Sequence, residues 1–162
     1  MKMTSLKKRF LFLLILALVL TLVACGKEEV VSTPAQETIK AFREEVKNSN
    51  KTVLGLADAL LSQDHIPFAG VSEAVEPGFL NGFTEDIVGF QEGAVFAPAI
   101  GAIPFIGYVF RLEDGQDPAL FMEQLKNLAD LRWNICTQAD EMAAESVGDL
   151  VCFVMSPLEF EN

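Results

Sequence analysis

Basic residues are scarce in this sequence. Lysine and arginine together number 12 among 162 residues, against 23 aspartates and glutamates, so the formal net charge is −11. Proteins that bind DNA or RNA need a basic face, because most of their affinity comes from neutralising phosphates. The composition therefore excludes nucleic acid as the natural partner. From Val53 onward only Arg111, Lys126 and Arg132 are basic, so we expect the globular part to be an anion.

The chain also lacks the usual signatures of hydrolases, nucleotide-binding enzymes and metalloenzymes. There is no Gly-x-Ser-x-Gly, no glycine-rich phosphate loop and no His-Glu-x-x-His. The one histidine, His65, has no second histidine or cysteine near it, so a transition-metal site would be short of ligands. Calcium could find oxygens at Glu113, Asp114 and Asp117, but their spacing is not that of an EF-hand. We therefore predict no metal site, no catalytic residue and no cofactor.

Long hydrophobic runs are limited to the N-terminus. Four basic residues precede an apolar stretch from Phe10 to Leu20, which is too short for a comfortable transmembrane helix of about 20 residues. A basic start, an apolar centre and small residues before a cysteine are the layout of a secretory signal. We predict that residues 1–24 are a signal peptide and that residues 25–33 are a short polar tether.

Cysteine is scarce, and the first of the three stands where the signal ends. Leu22-Val23-Ala24-Cys25 resembles the lipobox of bacterial lipoproteins. The resemblance implies cleavage between Ala24 and Cys25 and attachment of diacylglyceryl to the cysteine sulfur. An ordinary secretory signal or an uncleaved anchor is the alternative. The expected location is the extracytoplasmic face of the cell membrane, with the lipid making the contact because an acidic domain is repelled by an anionic bilayer surface.

Two helix starts are encoded locally in residues 34–162, which we expect to form a single domain. Thr33-Pro34 places an N-cap before a proline at the first helical position, and Gln36 stands at capping-box spacing. Weak helix formers at 47–51 leave open whether residues 34–62 form one helix or two. Asp117-Pro118 repeats the signal and predicts a helix to about Cys136. Its expected buried stripe is Phe121, Leu125, Leu128, Leu131 and Ile135.

Three strands are predicted, at Ala94–Ala99, Ile103–Leu112 and Leu150–Met155. The second is apolar on both faces, which is typical of a central strand covered twice. The aromatic-rich stretch 63–93 has no clean period, and we expect it to wrap the core, with an aromatic ligand groove as the alternative. Residues 140–148 are interpreted as an acidic connector.

These elements predict an α+β fold, a small two-layer sandwich of helices on a mainly antiparallel sheet of about three strands. Together with the lipobox, the order of elements from 95 to 157 looks like that of small uncharacterised lipoproteins of Gram-positive bacteria, in which a strand, an Arg-bearing helix and a last strand close the chain. That resemblance implies no activity. We expect Cys136 and Cys152 to be two buried thiols, with a disulfide as the alternative.

Two classes of function remain. The first is a binding or interaction module that engages a protein or cell-wall partner at the cell surface. The second is a small enzyme that uses paired carboxylates, without histidine, on wall or glycan substrates. We favour the first, because no pair of acids stands out from a solvated face. A carboxyl group buried in a cleft would favour the second.

Overall fold

The computed structural model describes residues 32–160. The predicted signal peptide, the Ala24–Cys25 cleavage site, the lipidated cysteine and the tether up to residue 31 lie outside these residues. Within them, no helix combines the length and the hydropathy needed to cross a bilayer.

The helices begin where the capping residues predict. Helix α1 covers Pro34–Asn48, and Thr33 and Gln36 form the expected capping box. Helix α2 covers Val53–Leu61 with Thr52 as its N-cap, so residues 34–62 form two helices rather than one. Helix α3 covers Pro118–Leu128, and the Asp117 carboxylate accepts the Ala119 N–H at 2.8 Å.

Seven strands are present in the described residues. They are β1 (Gly70–Val75), β2 (Gly78–Phe79), β3 (Asp86–Ile87), β4 (Phe90–Pro98), β5 (Ile106–Leu112), β6 (Glu141–Val147) and β7 (Leu150–Ser156). Five form an antiparallel sheet in the order β1-β4-β5-β7-β6, while β2 and β3 pair separately. The α+β class is confirmed, and β5 is the central strand. The expectation of about three strands is too low, because the edge strands β1 and β6 fall in segments interpreted as irregular or as a connector.

Both faces of the sheet are covered. Helices α1 and α2 pack on the face that includes Phe96, Val109 and Cys152. Helix α3 and the segment 80–90 pack on the opposite face, which includes Tyr108 and Phe153. The two-layer expectation is therefore wrong, and the domain has three layers with the sheet in the middle. The alternating apolar pattern of β5 and β7 follows directly, since each face meets its own core.

Helix α3 is shorter than predicted. It ends at Leu128 because Ala129 forms a β-bridge with Phe83 and the Asp130 N–H donates to the Gly82 carbonyl at 2.9 Å. Arg132 therefore does not lie at a helix C-terminus. Ile135, expected in the buried stripe, is 99% exposed.

Candidate functional site

A cleft opens at the end of the sheet where β5 and β6 begin and β4 and β7 end. Its volume is about 650 Å³, within the range of roughly 300–1,000 Å³ that is usual for ligand sites. We call it the end cleft. It is lined by Pro67, Ala102, Ile103, Pro104, Thr137, Gln138, Asp140, Pro157, Glu159 and Phe160.

Aromatic rings support the floor of the end cleft. Phe160 lines the cleft, and its ring lies 5.5 Å from that of Phe68 and 5.9 Å from that of Phe105, measured between centroids. Phe68 and Phe105 are 5.3 Å apart, and Phe105 also contacts Phe96 in the core at 5.9 Å. Such tilted and edge-on pairs are favourable geometries for aromatic side chains. The floor is therefore continuous with the core beneath α1 and α2.

The polar groups of the end cleft are mainly hydrogen-bond acceptors. Asp140 and Glu159 contribute carboxylates, and Asp140 Oδ2 accepts the Leu158 N–H at 3.2 Å. The Thr137 hydroxyl oxygen is shielded from solvent and has no hydrogen-bond partner among the described residues. A buried polar atom without a partner costs free energy. The structure therefore leaves the Thr137 hydroxyl, which can donate as well as accept, unsatisfied beside the cleft.

Three large apolar side chains are exposed within two residues, along the sequence, of residues that line the end cleft, and we call these three side chains the rim. Ile135 is 99% exposed, Ile100 77% and Leu158 52%. The loops that carry the first two are joined by a hydrogen bond of 2.6 Å from Asn134 Nδ2 to the Gly101 carbonyl oxygen, and Leu158 lies between two cleft residues. Exposed apolar side chains beside a cleft are more indicative of an interaction site than single exposed residues elsewhere on the surface. Sequence reasoning missed it, because helical spacing placed Ile135 in a buried stripe.

The first turn of α1 lies at the same end of the domain. The Thr38 hydroxyl donates to the Pro34 carbonyl at 2.8 Å, and its oxygen is 2.9 Å from His65 Nε2. His65 precedes the cleft residue Pro67 by two positions in the sequence. Because the hydroxyl proton is already used, His65 donates its Nε2–H to Thr38. Burial lowers the pKa of His65, while the nearby carboxylates of Glu37 and Asp64 oppose that shift. Helix α1 therefore begins at the end of the domain that carries the end cleft.

The other residues singled out from the sequence have structural roles or stand apart from the cleft. In the described residues no cluster of three or more His, Cys, Asp or Glu could hold a metal ion. Asp117 caps α3, as the spacing indicates. The aromatic stretch mainly covers the core, since Phe83 and Phe90 are buried, although Phe79 is 71% exposed.

The two cysteines of the domain are free thiols and differ in environment. Cys152 is fully buried on β7, and burial raises its pKa. Cys136 is exposed, next to Ile135 on the rim. The prediction of a buried thiol is thus confirmed for Cys152 and wrong for Cys136, because α3 ends before it.

The domain is strongly acidic. Residues 32–160 include seven basic and 20 acidic side chains, a formal charge of −13. Four of the basic side chains form ion pairs, at Lys40, Arg43, Lys51 and Arg111. No Asp or Glu of these residues is buried; the buried polar residues are Thr38 and Ser156. Glu141 is half-buried, and its Oε1 is shielded from solvent without a hydrogen-bond partner among the described residues. The other acids lie at a solvated surface whose field attracts cations.

Comparisons with protein-family models, with curated proteins and with solved structures found no match for this chain.

Proposed function

We propose that the chain is a lipid-anchored protein of the extracytoplasmic face of the cell membrane, and that its domain is a binding or interaction module for a protein or cell-wall partner. Diacylglyceryl on Cys25 would hold it there. The observation that supports binding is the end cleft, which has an apolar floor, a Thr137 hydroxyl without a hydrogen-bond partner among the described residues, and an exposed apolar rim. The lipobox at residues 22–25 supports the anchor.

An enzyme that uses paired carboxylates is the less supported function. General acid catalysis at neutral pH needs a carboxyl group whose surroundings favour its protonated form, usually through burial. Asp140 and Glu159, the two acids that line the end cleft, are both exposed. An open, solvated pair of this kind suits the recognition of a partner better than proton transfer.

The anchor is tested by Cys25→Ala in the native host. Loss of the thiol removes the lipobox sulfur to which diacylglyceryl would be attached, so radiolabelled palmitate should disappear from the protein and an unprocessed precursor should accumulate. Cys136→Ala is the matched control, and it should keep the label. Palmitate retained on the Cys25→Ala protein would contradict the proposed anchor.

The interaction module is tested by photocrosslinking in intact membranes. A benzoylphenylalanine at position 135 places the reactive group on the rim. The control at position 120 replaces Leu120, which is 62% exposed at the start of α3. Because α3 begins after β5 ends, Leu120 lies toward the other end of the sheet. A specific adduct at 135 that is absent at 120 is expected; equal adducts at both positions, or none, would contradict binding at the end cleft.

A further inference from the structure

The chemistry of the end cleft selects for a ligand that donates hydrogen bonds. None of the described residues that line it is Lys, Arg or His, and two are carboxylates. Three others, Pro67, Pro104 and Pro157, have no backbone N–H to donate. Ionised carboxylates and proline carbonyls only accept hydrogen bonds, and the only side-chain donors among the described lining residues are the Gln138 amide and the Thr137 hydroxyl. A ligand rich in acceptors, such as a phosphate or a carboxylate, would therefore find few partners and an opposing field.

The apolar surface of the same site defines the rest of the ligand. Ile103 and Phe160 line the interior, and Ile100, Ile135 and Leu158 are exposed at the rim. A small hydrated cation would leave this surface uncovered. An occupant with apolar groups beside its charge would remove both the interior and the rim from water, which is favourable in proportion to the apolar area buried.

The geometry points to an extended peptide segment of a partner protein, with a lysine or arginine next to apolar residues, as the occupant of the end cleft. This inference rests on the proposed binding function and specifies the chemistry of its partner. The cationic side chain meets Asp140 and Glu159 through charge-assisted hydrogen bonds. The Thr137 hydroxyl oxygen is shielded from solvent in the unliganded domain and has no partner among the described residues. Rotation of this side chain toward the cleft on binding gives a donor of the same segment access to it.

The electrostatics of the whole domain assist the same partner. The charge of −13 over residues 32–160 draws a basic segment toward the surface, which raises the association rate at low salt. Long-range attraction alone would not distinguish one acidic site from another. The apolar rim and the unsatisfied hydroxyl are the features that locate binding at the end cleft.

The test measures the fluorescence anisotropy of labelled six-residue peptides with the full-length protein in a non-ionic detergent. The probe alternates leucine with arginine, and the comparison peptide alternates leucine with glutamine. The cleft variant combines Asp140→Asn with Glu159→Gln, and asparagine keeps an oxygen to accept the Leu158 N–H. The control variant combines Glu113→Gln with Asp114→Asn, which removes the same charge from an exposed turn after β5.

We expect the arginine peptide to bind the native protein, and its affinity to fall about tenfold in the cleft variant, because two charge-assisted contacts at exposed carboxylates are lost. The control variant should change the affinity less than twofold. A third variant, Thr137→Val, removes the unsatisfied oxygen without changing the charge. It should weaken binding while leaving the salt dependence of the affinity unchanged. If the double variant does not fold, Thr137→Val still tests whether the peptide binds in the end cleft.

Three results would overturn this inference. Equal losses of affinity in the cleft and control variants would show that the peptide responds to the overall charge of the domain and does not bind specifically in the end cleft. Equal affinity for the leucine–glutamine peptide would overturn the cationic class while leaving the binding module in place. If neither peptide binds, the peptide inference fails, and the crosslink from position 135 decides separately whether the end cleft binds any partner.

Discussion

Substituting alanine for Gly107 should destabilise the domain and loosen the end cleft at once. Gly107 lies on β5 opposite Phe96 on β4, and the ring of Phe96 lies over it. A Cβ added at position 107 would overlap three carbons of that ring. The φ of Gly107 is not positive, so the backbone would accept alanine and only space is missing. Phe96 is fully buried and contacts Phe105, so the ring cannot move without displacing the support of the cleft floor.

The expected cost follows from overpacking in a core that cannot relax. Overpacking of one methyl group typically costs about 1–3 kcal/mol, and the lower entropy of the unfolded alanine chain returns roughly 0.4–1 kcal/mol. We expect Gly107→Ala to reduce the free energy of unfolding by about 1–2 kcal/mol. At this domain size that corresponds to a fall in Tm of roughly 3–10 °C.

Urea unfolding of four proteins would measure the effect: the native chain, Gly107→Ala, Phe96→Leu, and the double variant. The smaller leucine makes room for the new methyl group, so the double variant should be more stable than the sum of the single effects predicts, by about 1 kcal/mol or more. Gly101→Ala is the control, because nothing lies within 4 Å of its added Cβ. An unchanged stability of Gly107→Ala, or purely additive effects with Phe96→Leu, would refute the reasoning.

Three other predictions concern single groups of the domain. In the Cys25→Ala protein, a maleimide should label Cys136 in the native state and Cys152 only after unfolding, because Cys152 is fully buried; labelling of both under native conditions would contradict the position of β7. Burial lowers the pKa of His65 in the folded state, so the unfolded state binds the proton more readily. The free energy of unfolding should therefore fall as the pH drops from 7.5 through about 6.5 and below. His65→Gln should remove that part of the pH dependence in chemical unfolding, and an unchanged profile would show that His65 is not its source. Thr137→Val should raise the free energy of unfolding of the unliganded protein by about 1 kcal/mol, since an unsatisfied buried hydroxyl is removed; a loss of stability would mean that the hydroxyl has a partner.

Elements encoded by neighbouring residues were predictable. The N-caps Thr33 and Asp117 act through bonds within three residues, so their sequence context suffices to locate helix starts. The two-faced apolar pattern of β5 likewise predicted a covered central strand. Helix ends were less predictable: α3 stops because Ala129 pairs with Phe83, 46 positions earlier.

The edge strands show why the rest could not be predicted. The segment that forms β6 contains glutamate and alanine, which have low β-propensity, and its amphipathic pattern is weak. It is a strand because β7 pairs with it and because the Arg43 guanidinium of α1 holds Glu145 through two hydrogen bonds of 2.8 and 2.7 Å. β7 follows β6 directly after the turn at Gly148 and Asp149, but Arg43 lies 102 positions before Glu145, so that contact could not be predicted from the local sequence.

By itself, the sequence determined the acidity of the domain, the helix starts and the two apolar faces of the inner strands, because these depend on composition or on residues a few positions apart. The tertiary structure alone decided the edge strands, the third layer, the exposure of Ile135 and the end cleft. The cleft is lined from four separate segments, around positions 67, 103, 138 and 158. The local sequence of each of these four segments is typical of an ordinary loop. Only the long-range pairing of the strands brings their hydrogen-bond acceptors and apolar side chains together.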